Sequence, residues 1–182
     1  MKKTIEIPLS KNKLIFGIII SLIFVIACLV MMFNVQLYVN FPVKFMRDPM
    51  VLRSVLGVCM IFFVVTGVYG FRKMFDEKAG LIIDAIGITD NSNGSSVGLI
   101  EWEDITDIEV KRVVSTKFIL VNVVNPEKYI ERAKSKMKAK LIKSNMKLCG
   151  TPIAITSNTL KYDFKNLEQL LQSEFNRNKK FR

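Results

Sequence analysis

The sequence predicts two parts: a hairpin of two membrane-spanning α-helices, then a soluble α+β domain. Two observations carry this. Leu14–Phe33 and Ser54–Phe71 are apolar runs of twenty and eighteen residues without a charge, and a bilayer core about 30 Å thick needs roughly 20 apolar residues per helix. After Gly80 the pattern changes to short β-rich runs divided by turn formers, and later to helix signals. The expected organisation is an N-terminal segment 1–13, spans 14–33 and 54–71, a connecting loop 34–53, and one domain 79–182. A domain of that length buries a modest core.

The formal net charge is +11. Residues 1–78 carry ten Lys or Arg against four acids, and residues 79–182 carry seventeen against twelve. On a chain held at a bilayer, such an excess points to anionic lipid headgroups as partners. Tethering at the membrane argues against nucleic acid, the other common partner of basic domains. The sequence has no histidine, which removes the commonest general base and metal ligand. Cys28, Cys59 and Cys149 are scattered and lack zinc-ligand spacing. We therefore expect no metal, no cofactor and no disulfide framework, which is compatible with a reducing compartment.

The first span follows Lys2, Lys3, Lys11 and Lys13, as a secretory signal would, and Val25–Cys28 is similar to a lipoprotein cleavage box. Against cleavage there, Leu29–Phe33 continues the apolar run, whereas a signal core is only about 7–15 residues long. We read the run as a retained span. Seven cations flank the hairpin's outer ends (the four lysines, then Arg72, Lys73 and Lys78), against Lys44, Arg47 and Arg53 in the loop. That bias places both termini and the domain in the cytoplasm of a multi-pass inner-membrane protein. Tyr38, Phe41 and Phe45 suit the interface, and Pro42 and Pro49 interrupt the loop. Gly57, Gly67 and Gly70 let helices approach closely, either within the hairpin or across a homodimer seam. Neither span has an interior ionisable residue, so conduction is not expected.

In the domain, Leu81–Asp84, Gly87–Asp90, Val97–Trp102, Ile108–Val114 and Lys117–Val124 read as five strands in meander order. Asn91–Ser96 is dense in turn formers. Asn125 as N-cap, Pro126 at the first helical position and Glu127 start a helix expected to run to about Lys147, with Gly150 ending it. Thr151–Ser157 and Thr159–Tyr162 read as two more strands. Asp163 caps a last helix with Phe164, Leu167, Leu170, Leu171 and Phe175 on one face. Seven strands closed by a helix make a small barrel or sandwich. Ile5, Ile7 and Leu9 alternate with polar residues and Pro8, so this segment reads first as a tether and, alternatively, as an added edge strand.

The strand order, with Ile100–Ile105 ending a strand in a helical turn, resembles bacterial pleckstrin-homology-like (PH-like) domains. Through Ile5–Lys11, Gly80–Asp84, Asp90–Ser92, Gly98–Ile105, Asn125–Ile130 and Gly150–Ile153, nearly the whole chain resembles a family of small bacterial membrane proteins. Members have two spans and a C-terminal PH-like domain. The resemblance implies a fold and a location, and no activity. The loop that binds phosphoinositides in eukaryotic PH domains corresponds to Asp84–Gly87, which has no cation. Recognition at that loop is not expected.

The strongest local signal is the basic helix, with Lys128, Arg132, Lys134, Lys136, Lys138, Lys140, Lys143 and Lys147 beside an apolar stripe of Ile130, Ala133, Met137, Leu141 and Leu148. It reads either as a helix lying on an anionic leaflet or as a solvated face whose stripe packs on the barrel. RNA binding would need stacking positions, and only Tyr129 offers one. Glu101, Glu103, Asp104, Asp107 and Glu109 form an acidic cluster. It reads as a solvated turn with Asp104 capping, and it is able to meet the basic helix within the domain or between copies. Trp102 reads as a core anchor. Ser95, Ser96, Ser115 and Thr116 have no histidine to activate them. The sequence thus points to a non-enzymatic binding or scaffold module with an unidentified protein partner. A protective envelope-stress or bacteriocin-immunity protein is the alternative, on fold analogy.

Overall fold

In a computed structural model of the chain, residues 4–38, 42–113 and 115–179 are described. Lys2, Lys3, Phe41, Val114 and 180–182 lie outside these, as does the Phe45 side chain. The chain forms two compact units, one from Lys11–Asp76 and the other from the residues before Lys11 together with those from Glu77 onward.

The first unit is a helical hairpin. Helix α1 (Lys11–Phe33) begins three residues before the expected span and ends with it, and α2 (Pro49–Met74) outruns its expected span at both ends. At 1.5 Å per residue they are about 35 and 39 Å long, and both are long and apolar enough to cross a membrane. Asp48 starts α2, its Oδ1 accepting from Met50 N at 2.7 Å and Val51 N at 3.2 Å, with Pro49 in the first turn. Phe24 stacks on Phe63 with ring centroids 4.4 Å apart. Small residues set the approach, as the sequence suggested for two of the three glycines. A Cβ on Gly67 would stand 3.4 Å from Ser21 Cβ, and one on Gly70 3.2 Å from Ile18 Cγ1, whereas Gly57 faces open space. The hydroxyls of Ser21 and Thr66 donate to carbonyls of their own helices and lie 3.5 Å apart. Most of the apolar side chains, such as Phe16, Phe33, Val58 and Ile61, face outward.

The second unit is α+β, with two antiparallel sheets. The first orders β1 (Ile5–Ile7), β2 (Leu81–Ile83), β3 (Gly87–Asp90) and β4 (Gly98–Glu101); the second orders β5 (Ile105–Val113), β6 (Thr116–Val123) and β7 (Ile153–Ile155). Trp102–Asp104 forms the anticipated helical turn. There the chain changes sheets, so the five-strand meander divides and the sheets do not close into a barrel. Trp102 is buried and its indole donates to Asp84 O at 2.9 Å. The core gathers Ile7, Leu81, Ile83, Ile88 and Ile100 from the first sheet and Ile105, Ile119, Val121, Ile153 and Ile155 from the second. Helix α5 (Phe164–Lys179) adds Leu167, Leu171 and Phe175. As expected, Asp163 starts it, accepting from Lys165 N and Asn166 N.

Three expectations are corrected. The described residues form seven strands, but Thr159–Tyr162 is not among them; Leu160 only bridges to Leu9. The missing strand comes instead from Ile5–Ile7, which is an edge strand rather than a tether. The basic helix is two helices, α3 (Pro126–Glu131) and α4 (Lys136–Cys149). Ser135 restarts the helix, its Oγ accepting from Lys138 N and its carbonyl from Ala139 N. Gly150, at φ +88°, ends α4 as anticipated.

At Gly87 the fold admits no side chain. A Cβ there would run into Ile100 O and stand 2.9 Å from Ile100 C across the β3–β4 pair. Both obstacles are backbone, so relief requires the strands to separate. Gly87→Ala is expected to cost about 1–3 kcal/mol, read as a lower urea midpoint through the fluorescence of the single tryptophan.

Candidate functional site

The eight cations singled out from the sequence fall into two groups. Lys128 and Arg132 sit on or beside α3 and turn inward. Asn125 Oδ1 caps α3 through Lys128 N at 3.3 Å, with Pro126 at the first position. One turn on, the Tyr129 ring is fully buried. Its hydroxyl lies 2.6 Å from Asp104 Oδ2 and 2.9 Å from Glu101 Oε2. Arg132 grips Glu101 with both guanidinium nitrogens, at 2.7 and 3.0 Å, in the bidentate geometry that makes such pairs strong. Lys128 Nζ donates to Asp104 Oδ2 and lies 3.3 Å from Glu101 Oε1. Two of the five acidic residues, Glu101 and Asp104, therefore meet the basic segment within the domain. Lys128 and Arg132 are engaged there and serve to dock α3.

The network's charges are mutually stabilised. The Arg132 hydrogen bond, reinforced by those of Tyr129 and Lys128, holds Glu101 at about 2, far below its usual 4.5. Burial pushes Asp104 up, but the hydrogen bonds from Lys128 and Tyr129 outweigh it and leave the carboxyl below its usual value. Burial and the two carboxylates raise the Tyr129 phenol, which stays protonated.

The other group lies on or next to α4, whose three faces have different chemistry. One face is buried. Leu120 alternates with the core residues Ile119 and Val121, so it points to the opposite side of the second sheet, opposite Ala154 on β7. Both are buried, α4 packs against β7, and Ile142 is fully enclosed. Asn145 Nδ2 donates to Ser95 Oγ at 3.0 Å and Pro152 O at 3.4 Å, and Lys111 Nζ to Leu148 O at 3.4 Å. The helix is thus fixed to the β3–β4 loop, to β7 and to β5. Asn91–Ser96 is more than a turn: Asn93 Nδ2 also reaches Ala154 O, and Thr159 Oγ1 donates to Ser92 O.

The second face is basic. At 3.6 residues per turn, Lys136, Lys140, Lys143 and Lys147 fall within about 60° of arc, and all four are exposed. Lys134 is exposed in the α3–α4 connection, and Lys138 is partly buried at the other side of α4. The third face is apolar and uncovered. Met137, Leu141 and Leu148 fall within about 40° of arc, beside the lysine row, and are 72%, 45% and 63% exposed. The expected stripe is therefore present on α4 but not packed on the sheets. Ile130 and Ala133 do not continue it, because the helix breaks between them and Met137. The anchoring side of α4, Ile142 with partly buried Ala139, Met146 and Cys149, is the feature the sequence reading missed. Its signal was present as a second apolar row at helical spacing.

Among the described residues no group of His, Cys, Asp and Glu is placed to hold a metal ion. Ser95 and Ser96 hydrogen-bond within the β3–β4 loop. The chain matches no protein-family model, no curated protein and no solved structure with which it was compared.

Because Glu101 is depressed in the folded state, its contribution to stability is present above about pH 4.5 and is lost as the pH falls through about 2. The domain's thermal midpoint should fall across that interval. Glu101→Gln should lower stability at pH 7 by about 1–3 kcal/mol and flatten the acid limb. An unchanged acid slope in the variant would remove Glu101 as its source.

Proposed function

We propose that the chain is a non-enzymatic, membrane-anchored binding module: α1 and α2 both cross the bilayer, and the domain lies on the cytoplasmic leaflet through α4. The observation that carries this is the uncovered apolar row Met137–Leu141–Leu148 running beside Lys136, Lys140, Lys143 and Lys147. Soluble helices bury their apolar row and expose their charges. Here the buried row is a third one, around Ile142, which leaves the other two free for an interface between water and hydrocarbon. Apolar side chains enter the headgroup boundary while flanking lysines meet lipid phosphates. Each lysine at an anionic surface contributes about 1 kcal/mol, so the row supplies about 4 kcal/mol at low salt. Charge complementarity selects an anionic bilayer over a neutral one, and the stretch 75–80 joins the domain directly to α2. The four- and three-stranded sheets with a C-terminal helix support a PH-like plan, and the flanking cations support the cytoplasmic orientation.

The test uses the full chain in nanodiscs, with Cys28, Cys59 and Cys149 replaced by serine and an environment-sensitive fluorophore on Leu141→Cys. Emission should shift to the blue in discs with anionic lipid and stay unshifted in neutral discs. The shift should fade as salt shortens the screening length, and vanish when Lys136, Lys140, Lys143 and Lys147 become glutamine. Identical emission in neutral and anionic discs at every salt concentration would overturn the lipid reading.

A further inference from the structure

The domain is split in sequence. Its first strand precedes α1, and its remainder follows α2. The join is extensive. β1 pairs with β2 in the register Ile5↔Ile83, Glu6↔Ile82 and Ile7↔Leu81. Ile7 is only 1% exposed within the core, and Ile5 and Leu9 pack against that core. Beyond the strand, Lys161 N donates to Pro8 O at 2.9 Å and Ser10 N to Thr159 O at 2.8 Å. The segment therefore lies between the edge of β2 and the 159–161 stretch, with backbone bonds on both sides. Pro8, which has no N–H to give, sits where only its carbonyl is used. Gly80 leaves room for this strand: a Cβ there would run into Leu160 and stand 3.1 Å from Leu9 Cδ2.

We infer that Thr4–Ser10 is a completing strand, and that the groove between β2 and residues 159–161 is a binding surface whose occupant is the chain's own N-terminus. An alternating Ile-x-Ile-x-Leu strand fits it by burying Ile7 and packing partly buried Ile5 and Leu9 on the same core, with residues 5–7 pairing to β2 and 8–10 bonding to 159–161. The inference rests on the reading that both helices cross the bilayer, and it deepens that reading. The groove fills in cis only if the hairpin's two ends emerge on the same side. It also requires α1 to stay attached: cleavage before Cys28 would sever β1 from the domain it completes.

The test is a cross-link in the full chain lacking its native cysteines. Glu6→Cys and Ile82→Cys are directly opposed across the β1–β2 pair. Opposed residues in such a pair have Cα atoms about 4.5–5.5 Å apart, within disulfide range. On oxidation, both in native membranes and in detergent, an intrachain bond should form in several-fold higher yield than in a control joining Glu6→Cys to Asn166→Cys on α5. Thr4→Cys and Asn166→Cys should react with an impermeant maleimide from the same side of sealed vesicles. A yield no higher than the control, a bond between two chains, or labelling from opposite sides would each overturn the inference. The detergent arm contains no anionic lipid, so loss of the cross-link is separable from failure of α4 to bind the bilayer.

Discussion

Over β6 and β7 the second sheet is apolar on both faces, and much of the domain's architecture follows from that. Ile119, Val121, Ile153 and Ile155 face the core, while Leu120 and Ala154 face away and are buried too. A sheet buried on both sides reads as a continuous apolar run and needs a layer on each. α5 contributes on the inner side. The chain between β6 and β7 covers the outer side with α4, anchored by Ile142. Because the cover is a single helix, only one of its faces is used. The lysine row and the Met137–Leu141–Leu148 row are left outside by geometry, and their adjacency is what makes the helix a candidate surface.

The network around Tyr129 explains why one helix became two. α3 must present Tyr129, Lys128 and Arg132 to carboxylates at the junction between the sheets, whereas α4 must follow the outer face of the second sheet. One straight helix cannot meet both demands, and Ser135 supplies the cap at which the direction resets. The network also reassigns charge. Two of the eight cations that looked available for a partner balance Glu101 and Asp104 instead.

Local chemistry was legible in the sequence, and non-local pairing was not. Asn125, Gly150 and Asp163 mark helix ends through hydrogen bonds to residues a few positions away, and Pro126 marks one through its fixed φ and missing N–H, so their roles follow from residue type. The two apolar helices follow from composition alone. The break at Ser135 was masked by an apparent stripe running from Ile130 to Leu148, which spacing alone did not divide. The β1 strand was visible as alternation at Ile5, Ile7 and Leu9, but its partner lies beyond both helices, and nothing local names that partner. The same holds for Thr159–Tyr162, which reads as a strand, yet here Leu160 makes one bridge to Leu9 and no ladder. The exposed row on α4 was named correctly as apolar. Its exposure depended on which of two apolar rows the sheet would take.

On the proposed reading the domain is already tethered, and the modest size of the α4 surface suits that. Three apolar side chains and four lysines would hold a free domain weakly, since a single acyl chain alone gives only marginal, reversible attachment. A tethered domain faces a different equilibrium. With α2 in the bilayer, as proposed, docking of α4 would be intramolecular and proceed at the high effective concentration that a short linker sets. A few kcal/mol then decides between a docked and a lifted domain. That balance would depend on salt and on lipid charge, whereas the hairpin's own attachment, made by the uncharged apolar runs 14–33 and 54–71, would not. On the proposed reading the two units therefore divide the work: the hairpin fixes where the protein is, and α4 responds to the charge of the surface it meets.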